Sequence, residues 1–160
     1  MKIGLALREL HRSEDELAHK LLQVSDRHKV DHDVFYLGQE LALWSQQHVR
    51  ALSEAAARYD VRLDPEPRTE SRVAARARDA VSQAVGRAPQ AGLLLLLDMR
   101  EVYVRASGVS VDWELVAQVA QGVRDHDLLQ LAKTCHPETL RQVRWADSKL
   151  KESATQVLCS

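Results

Sequence analysis

A length of 160 residues suits one domain with a substantial core, and 45% hydrophobic with 28% charged residues is a globular balance, not a disordered one. The formal net charge of −1 gives no global pull toward nucleic acid or an anionic membrane, and two cysteines, Cys135 and Cys159, make no disulfide framework. The opening Met1-Lys2-Ile3-Gly4-Leu5 lacks the apolar run of a secretory signal, and Leu93 to Leu97 is too short to span a bilayer, so a cytoplasmic protein is expected.

Aromatic residues are scarce, and few glycines and prolines interrupt the chain, which favours long helices over sheets. Ile3, Leu7, Leu10, Leu17, Leu21 and Val24 recur at spacings of three and four, with Glu14 filling one gap, and predict an amphipathic helix over 3–28. Asp31 or Asp33 can cap the next helix, over 32–60, whose stripe runs Val34, Leu37, Leu41, Trp44, His48, Ala51 or Leu52, Ala55 and Tyr59. A short turn between helices of similar length predicts an antiparallel hairpin over 1–62.

Pro65 and Pro67 stop the second helix. A crossover over 63–91 follows, holding an Ala/Arg-rich helix at 70–86 that Thr69 can cap and that Gly86 and Pro89 end. The next helix is expected over 92–107, with Leu93 to Leu97 buried on more than one side, and a tight connection at Ser107-Gly108-Val109-Ser110 capped by Ser110 or Asp112. The last helix then starts near 111 with Trp113 and Val116 and runs through Leu128, Cys135 and Val143 to Leu150. Pro137 predicts a kink near 133 or a stop and restart, and residues 154–160 are expected as a frayed tail. The whole is one all-α domain, 1–160, of two antiparallel hairpins, 1–62 and 92–153.

Two polar residues break the apolar stripes. With the first turn centred near residues 30–31, residue i lies opposite about 61 − i, so Glu14 faces position 47, beside His48. A buried carboxylate needs a partner or a metal, and histidine answers either need: as a structural hydrogen bond, or as part of a site. Asp98, Glu101, Asp127 and Glu138 read first as solvated positions. His126 between Asp125 and Asp127, and Cys135 beside His136, cannot chelate as adjacent residues because neighbours on a helix point about 100° apart. Arg68, Arg72 and Arg76 share a face but alternate with Glu66, Glu70 and Asp79, the pattern of a solvated face rather than a nucleic-acid surface. No glycine-rich phosphate loop, paired-cysteine zinc pattern or nucleophile elbow occurs in the sequence.

Asp31-His32-Asp33-Val34, the stretch Leu41 to Val49, and the stretch Cys135 to Trp145 resemble the ferritin-like four-helix bundle superfamily, in particular small ferritin-like proteins of high-GC bacteria. The resemblance implies a ferritin-like bundle with an extra helix in its long crossover. It also implies a di-metal site, which in that superfamily takes a Glu from each of two helices and Glu-x-x-His from the other two. Glu14 matches the first position in kind, and Glu101 stands where the third helix supplies a carboxylate. His48 matches a histidine but has Ser45 three residues before it, while His126 follows Val123 and His136 follows Lys133 at that spacing.

Three functions are therefore weighed. The first is a non-catalytic structural or interaction protein that forms homo-oligomers, a dimer above all, because the tryptophans and leucines exceed what four such helices bury alone. The second is a metal-binding or metal-oxidising protein holding iron, manganese or zinc through Glu14, His48, Glu101 and Glu138. The third is an apolar small-ligand site between helices. No nucleic-acid or membrane partner is expected.

Overall fold

A computed structural model describes residues 2–68 and 90–159. Among them are four helices and no strand: α1 (Ile3–Arg27), α2 (His32–Ala57), α3 (Ala91–Val123) and α4 (His126–Leu158). None of these helices is long and apolar enough to cross a membrane. The expected helix at 70–86, with its cap Thr69 and with Arg72 and Arg76, lies outside the described residues.

Each helix buries a seam that alternates steps of three and four. On α1 it is Ile3, Leu7, Leu10, Glu14, Leu17, Leu21 and Val24, and on α2 Val34, Gly38, Leu41, Ser45, His48, Leu52 and Ala55. On α3 it runs from Met99 through Trp113 to Ala120, and on α4 from Leu128 through Cys135 and Gln142 to Ser153. A repeat of 3.5 residues keeps one narrow stripe facing the partner helices along their full length, which is how bundle helices pack. Gly38 permits close approach in the first hairpin, where a Cβ would meet the Cβ of Ser25 at 2.9 Å.

Cross-helix bonds give the directions. Glu14 meets His48, and Ser110 meets His136, so both hairpins are antiparallel. Lys20 meets Asp98 while Glu14 meets Trp113, so α1 and α3 are also antiparallel. Asp31 meets Lys149 and His48 meets Glu138, which sets α2 against α4 in the same sense. Consequently α2 and α3 run in the same direction. After α2 the chain follows α1 as far as Arg68: Val61 packs at Gly4, the Asp64 carbonyl is bonded by His11 Nε2 at 2.7 Å, and Arg68 reaches Asp15 at 2.8 Å.

The second hairpin departs from the sequence expectation in its boundary. No turn forms at 107–110; α3 continues to Val123 and α4 starts at His126. A glycine within a helix costs only about 1 kcal/mol. Here Val109, Ser110, Trp113 and Val116 extend the buried seam past it and outweigh that cost. Ser110 therefore caps nothing, and its hydroxyl bonds His136 Nε2 at 2.8 Å. The chain turns instead at Arg124, whose φ of 58° is left-handed, and at Asp125, whose side chain accepts the Leu128 amide at 2.9 Å. Asp31 caps α2 in the same way, accepting from the Val34 amide at 3.1 Å.

Three further corrections follow. Pro137 neither stops nor restarts α4, which is one helix through it; the residue is exposed, while Cys135, Thr139 and Gln142 on either side are buried. The tail remains helical to Leu158, held where Val157 packs on Gly92. The leucine run is not buried on several sides: Leu93 and Leu97 are 48% and 56% exposed.

Candidate functional site

One layer at mid-height draws a side chain from every helix. Glu14 of α1, His48 of α2, Trp113 of α3 and Glu138 of α4 share it because the first three occupy the buried seams and Glu138 flanks the fourth. His48 Nδ1 donates to Glu14 Oε1 at 2.7 Å, and its Nε2 donates to Glu138 Oε2 at 2.8 Å. The Trp113 indole N–H donates to the same Glu14 oxygen at 2.7 Å, and its ring meets the His48 ring edge-on at 5.8 Å. Glu14 is wholly buried, whereas the Glu138 side chain is 30% exposed.

An imidazole that donates from both nitrogens is an imidazolium. Burial opposes that charge, but hydrogen bonding to Cys135 and Glu14, and the charge of Glu14, outweigh it and push His48 up to about 11. The layer thus holds a cation between two carboxylates. In this arrangement both ring nitrogens are engaged by carboxylates. Glu14 Oε2 has no hydrogen-bond partner among the described residues, nor do the buried Thr139 Oγ1 and Gln142 Oε1.

Glu14, His48 and Glu138 therefore come together, and Glu101 does not join them. Glu101 bonds Lys20 at 2.6 Å and Arg105 at 3.0 Å. Along α3 it stands about 18 Å from Trp113, at about 1.5 Å per residue. Among the described residues, no group of three or more His, Cys, Asp or Glu side chains is arranged to hold a metal ion.

A second buried cluster was hidden from the sequence reading, which placed Asp98 on a solvated face. Asp98 is buried and accepts from Lys20 Nζ at 3.0 Å, Arg27 Nη1 at 3.0 Å and His28 Nε2 at 2.8 Å. Burial works against its charge, but the His28 and Lys20 hydrogen bonds and the Lys20 and Arg27 charges hold the carboxyl down at about 2. The cluster ties the C-terminal turn of α1 to the start of α3. The one sequence signal was position: Asp98 directly precedes Met99, where the buried seam begins.

The ends of the bundle are clamped by the capping residues themselves. Asp31, cap of α2, takes Lys149 of α4 at 2.9 Å. Asp125, cap of α4, takes the Tyr59 hydroxyl from the end of α2, with Arg58 at 3.4 Å. His126 and His136, the other histidines of the last helix, are not among the groups bonded to His48; His136 bonds Ser110.

Grooves lie on the outside of the bundle. One of about 400 Å³ runs between α1 and α3 past Ser13, Val104 and Gly108. Another of about 460 Å³ lies between α3 and α4, lined by Leu93, Leu97, Leu150 and Leu158. No family model matches the chain, and no match is found among curated proteins or solved structures.

Proposed function

We propose that this protein is a ferritin-like helical bundle that works by association with itself, as a non-catalytic structural or interaction protein, in the cytoplasm. The observation that carries this reading is the solvent side of α3. A helix that is apolar all round belongs in an interior. On α3 one seam is buried, yet Leu97, Val104, Val111 and Leu115 on the opposite side are each more than half exposed. Glu101 and Gln118 interrupt this face, but four large apolar side chains exposed along one helix face are the kind of surface that marks an interaction site.

The ferritin-like part of the reading is supported by helix direction. Two antiparallel hairpins with parallel second and third helices is the arrangement of a bundle with one long crossover. Two free cysteines, Cys135 buried and Cys159 exposed, accord with a reducing compartment. The alternative of iron, manganese or zinc held by Glu14, His48, Glu101 and Glu138 has less support, because the His48 nitrogens are committed to carboxylates and Glu101 is committed to Lys20. An apolar ligand in the α3–α4 groove would compete for Leu93 and Leu97 with a second copy of the chain.

The test is mutational. Val111→Glu and Leu115→Glu, each placing a charge at the centre of the strip, are expected to convert a dimer to a monomer in sedimentation velocity without changing the circular dichroism spectrum. Tyr36→Glu, an exposed position on α2, is the control and should leave the dimer intact. Equal behaviour of all three variants would remove α3 as the site of association.

A further inference from the structure

The outer valley between α3 and α4 has two unlike ends. Leu93, Leu96 and Leu97 of α3 and Leu150, Ala154 and Leu158 of α4 line a groove of about 460 Å³, the size of a small-molecule site. The other two lining residues, Arg100 and Lys151, are cationic, and no carboxylate lines the groove. Gly92 packs on Val157 and Ser110 bonds His136, so in this antiparallel hairpin Leu158 comes level with the start of α3, and Lys151 with Leu97. The leucines therefore reach the end of the bundle, and the two cations lie together nearer its middle.

The cations differ in what they already hold. Lys151 bonds Asp147, one turn back along α4, at 2.6 Å. Arg100 is exposed and has neither a hydrogen bond nor an ion pair among the described residues. Its neighbours on α3 are engaged: Asp98 and Glu101 both take Lys20. An unpaired guanidinium thus stands at the inner end of a groove whose remaining length is apolar.

We propose that this groove binds a free long-chain fatty acid, with the carboxylate at Arg100 and the hydrocarbon tail running past Leu97 and Leu93 toward Leu158. A guanidinium offers a carboxylate two parallel N–H donors, and Lys151 adds positive charge beside it; an uncharged or cationic amphiphile can use neither. Length agrees as well. From the level of Arg100 to that of Leu158 is about 15 Å along α3. An extended chain of about twelve carbons covers that distance with ordinary bond lengths and angles. A second copy of the chain complements the groove poorly. Around a two-fold axis, antiparallel grooves set the cations of each copy on the leucines of the other, and parallel grooves set cations on cations. The site is separate from the self-association proposed above, since Val111 and Leu115 do not line it. The described chain on either side of 69–89 also lies elsewhere: Arg68 bonds Asp15 of α1, and Ala91 lines another groove with His28 and Val30.

Isothermal titration of the full chain with sodium dodecanoate, below its micelle-forming concentration, is the experiment. Saturable binding of one molecule per chain is expected. Octanoate should bind at least about tenfold more weakly, because each fully buried methylene is worth about fourfold. Arg100→Glu should weaken dodecanoate about tenfold and strengthen dodecyltrimethylammonium, reversing the preference of the parent. Leu158→Glu, at the far end of the groove, should weaken dodecanoate with no change in the circular dichroism spectrum. Val111→Glu should bind dodecanoate at least as tightly as the parent, whether or not it still associates. No saturable binding of dodecanoate, or equal binding of the two amphiphiles by the parent, overturns the proposal. Binding by Val111→Glu but not by the parent also overturns it and gives the groove to a second copy. Co-sedimentation with phosphatidylglycerol vesicles without binding of free dodecanoate overturns it in favour of a membrane surface.

Discussion

His48 is held at both nitrogens, and this settles what Glu14 does. Glu14 is not an idle buried charge: it accepts from His48 and from Trp113. Replacing it with leucine strands a buried imidazolium and a buried indole N–H, so Glu14→Leu should destabilise the fold by about 3 to 5 kcal/mol. Glu14→Gln, which retains an acceptor oxygen, should lose less; denaturant unfolding measures both, and a Glu14→Leu protein as stable as the parent would refute the clamp. The pH dependence follows from the same bonds. His48 is raised in the fold from 6.5 to about 11, so its contribution is complete below about pH 6.5 and declines as pH rises toward 11. Asp98 is depressed to about 2, so its contribution is present above about pH 4 and is lost as pH falls toward 2. Melting temperature should therefore fall between pH 7 and pH 10, and His48→Gln should flatten that slope. The meeting of Glu14 with His48 was legible in the sequence because both interrupt regular stripes at matching heights. Glu138 was grouped with them but read as a solvated position, and the partner Trp113 and the separate burial of Asp98 were not legible, since which faces of α3 and α4 turn inward depends on a boundary that the sequence placed wrongly.

At the scale of elements, that boundary is the instructive error. Ser107-Gly108-Val109-Ser110 has turn composition, and local propensity predicts a break, but the seam from Met99 to Ala120 gains more by continuing than the glycine costs. The true signal was a likeness between two short segments. Asp31-His32-Asp33-Val34 opens α2, and Asp125-His126-Asp127-Leu128 opens α4, each with an aspartate accepting the amide three residues on. Read as a repeated capping sequence, the second segment locates the turn. The first two helices were legible to within a few residues because their stripes end in plain turn and proline signals. Pro137 offers a prediction at this scale. It sits exposed inside a continuous helix, where proline removes a backbone hydrogen bond and costs about 3 kcal/mol relative to alanine. Pro137→Ala should therefore stabilise the protein, by about 1 to 3 kcal/mol. Destabilisation in thermal and denaturant unfolding would mean that the bond geometry around Lys133 and Glu138 depends on the proline.

For the whole molecule, the buried polar groups and the exposed apolar ones have opposite meanings. The polar groups are gathered into clamps: the His48 layer at mid-height, Asp98 between α1 and α3, and the reciprocal pairs Asp31–Lys149 and Asp125–Tyr59 at the two ends. They fix helix order and register within one chain and engage both nitrogens of His48. The apolar surplus lies outside, on a helix whose outer face keeps Leu97, Val104, Val111 and Leu115 more than half exposed. The sequence suggested a surplus from its leucines and tryptophans, and part of it does lie at the leucine run, where Leu93 and Leu97 are exposed, but Val104, Val111 and Leu115 were missed because a second apolar face on one helix is seen only when the first is known to be filled. Self-association through α3 is the central claim, and sedimentation equilibrium of the unmodified chain tests it most directly. A species of about 36 kDa, twice the 18.0 kDa chain, that persists to micromolar concentration is the predicted result, whereas 18 kDa at every concentration would contradict it.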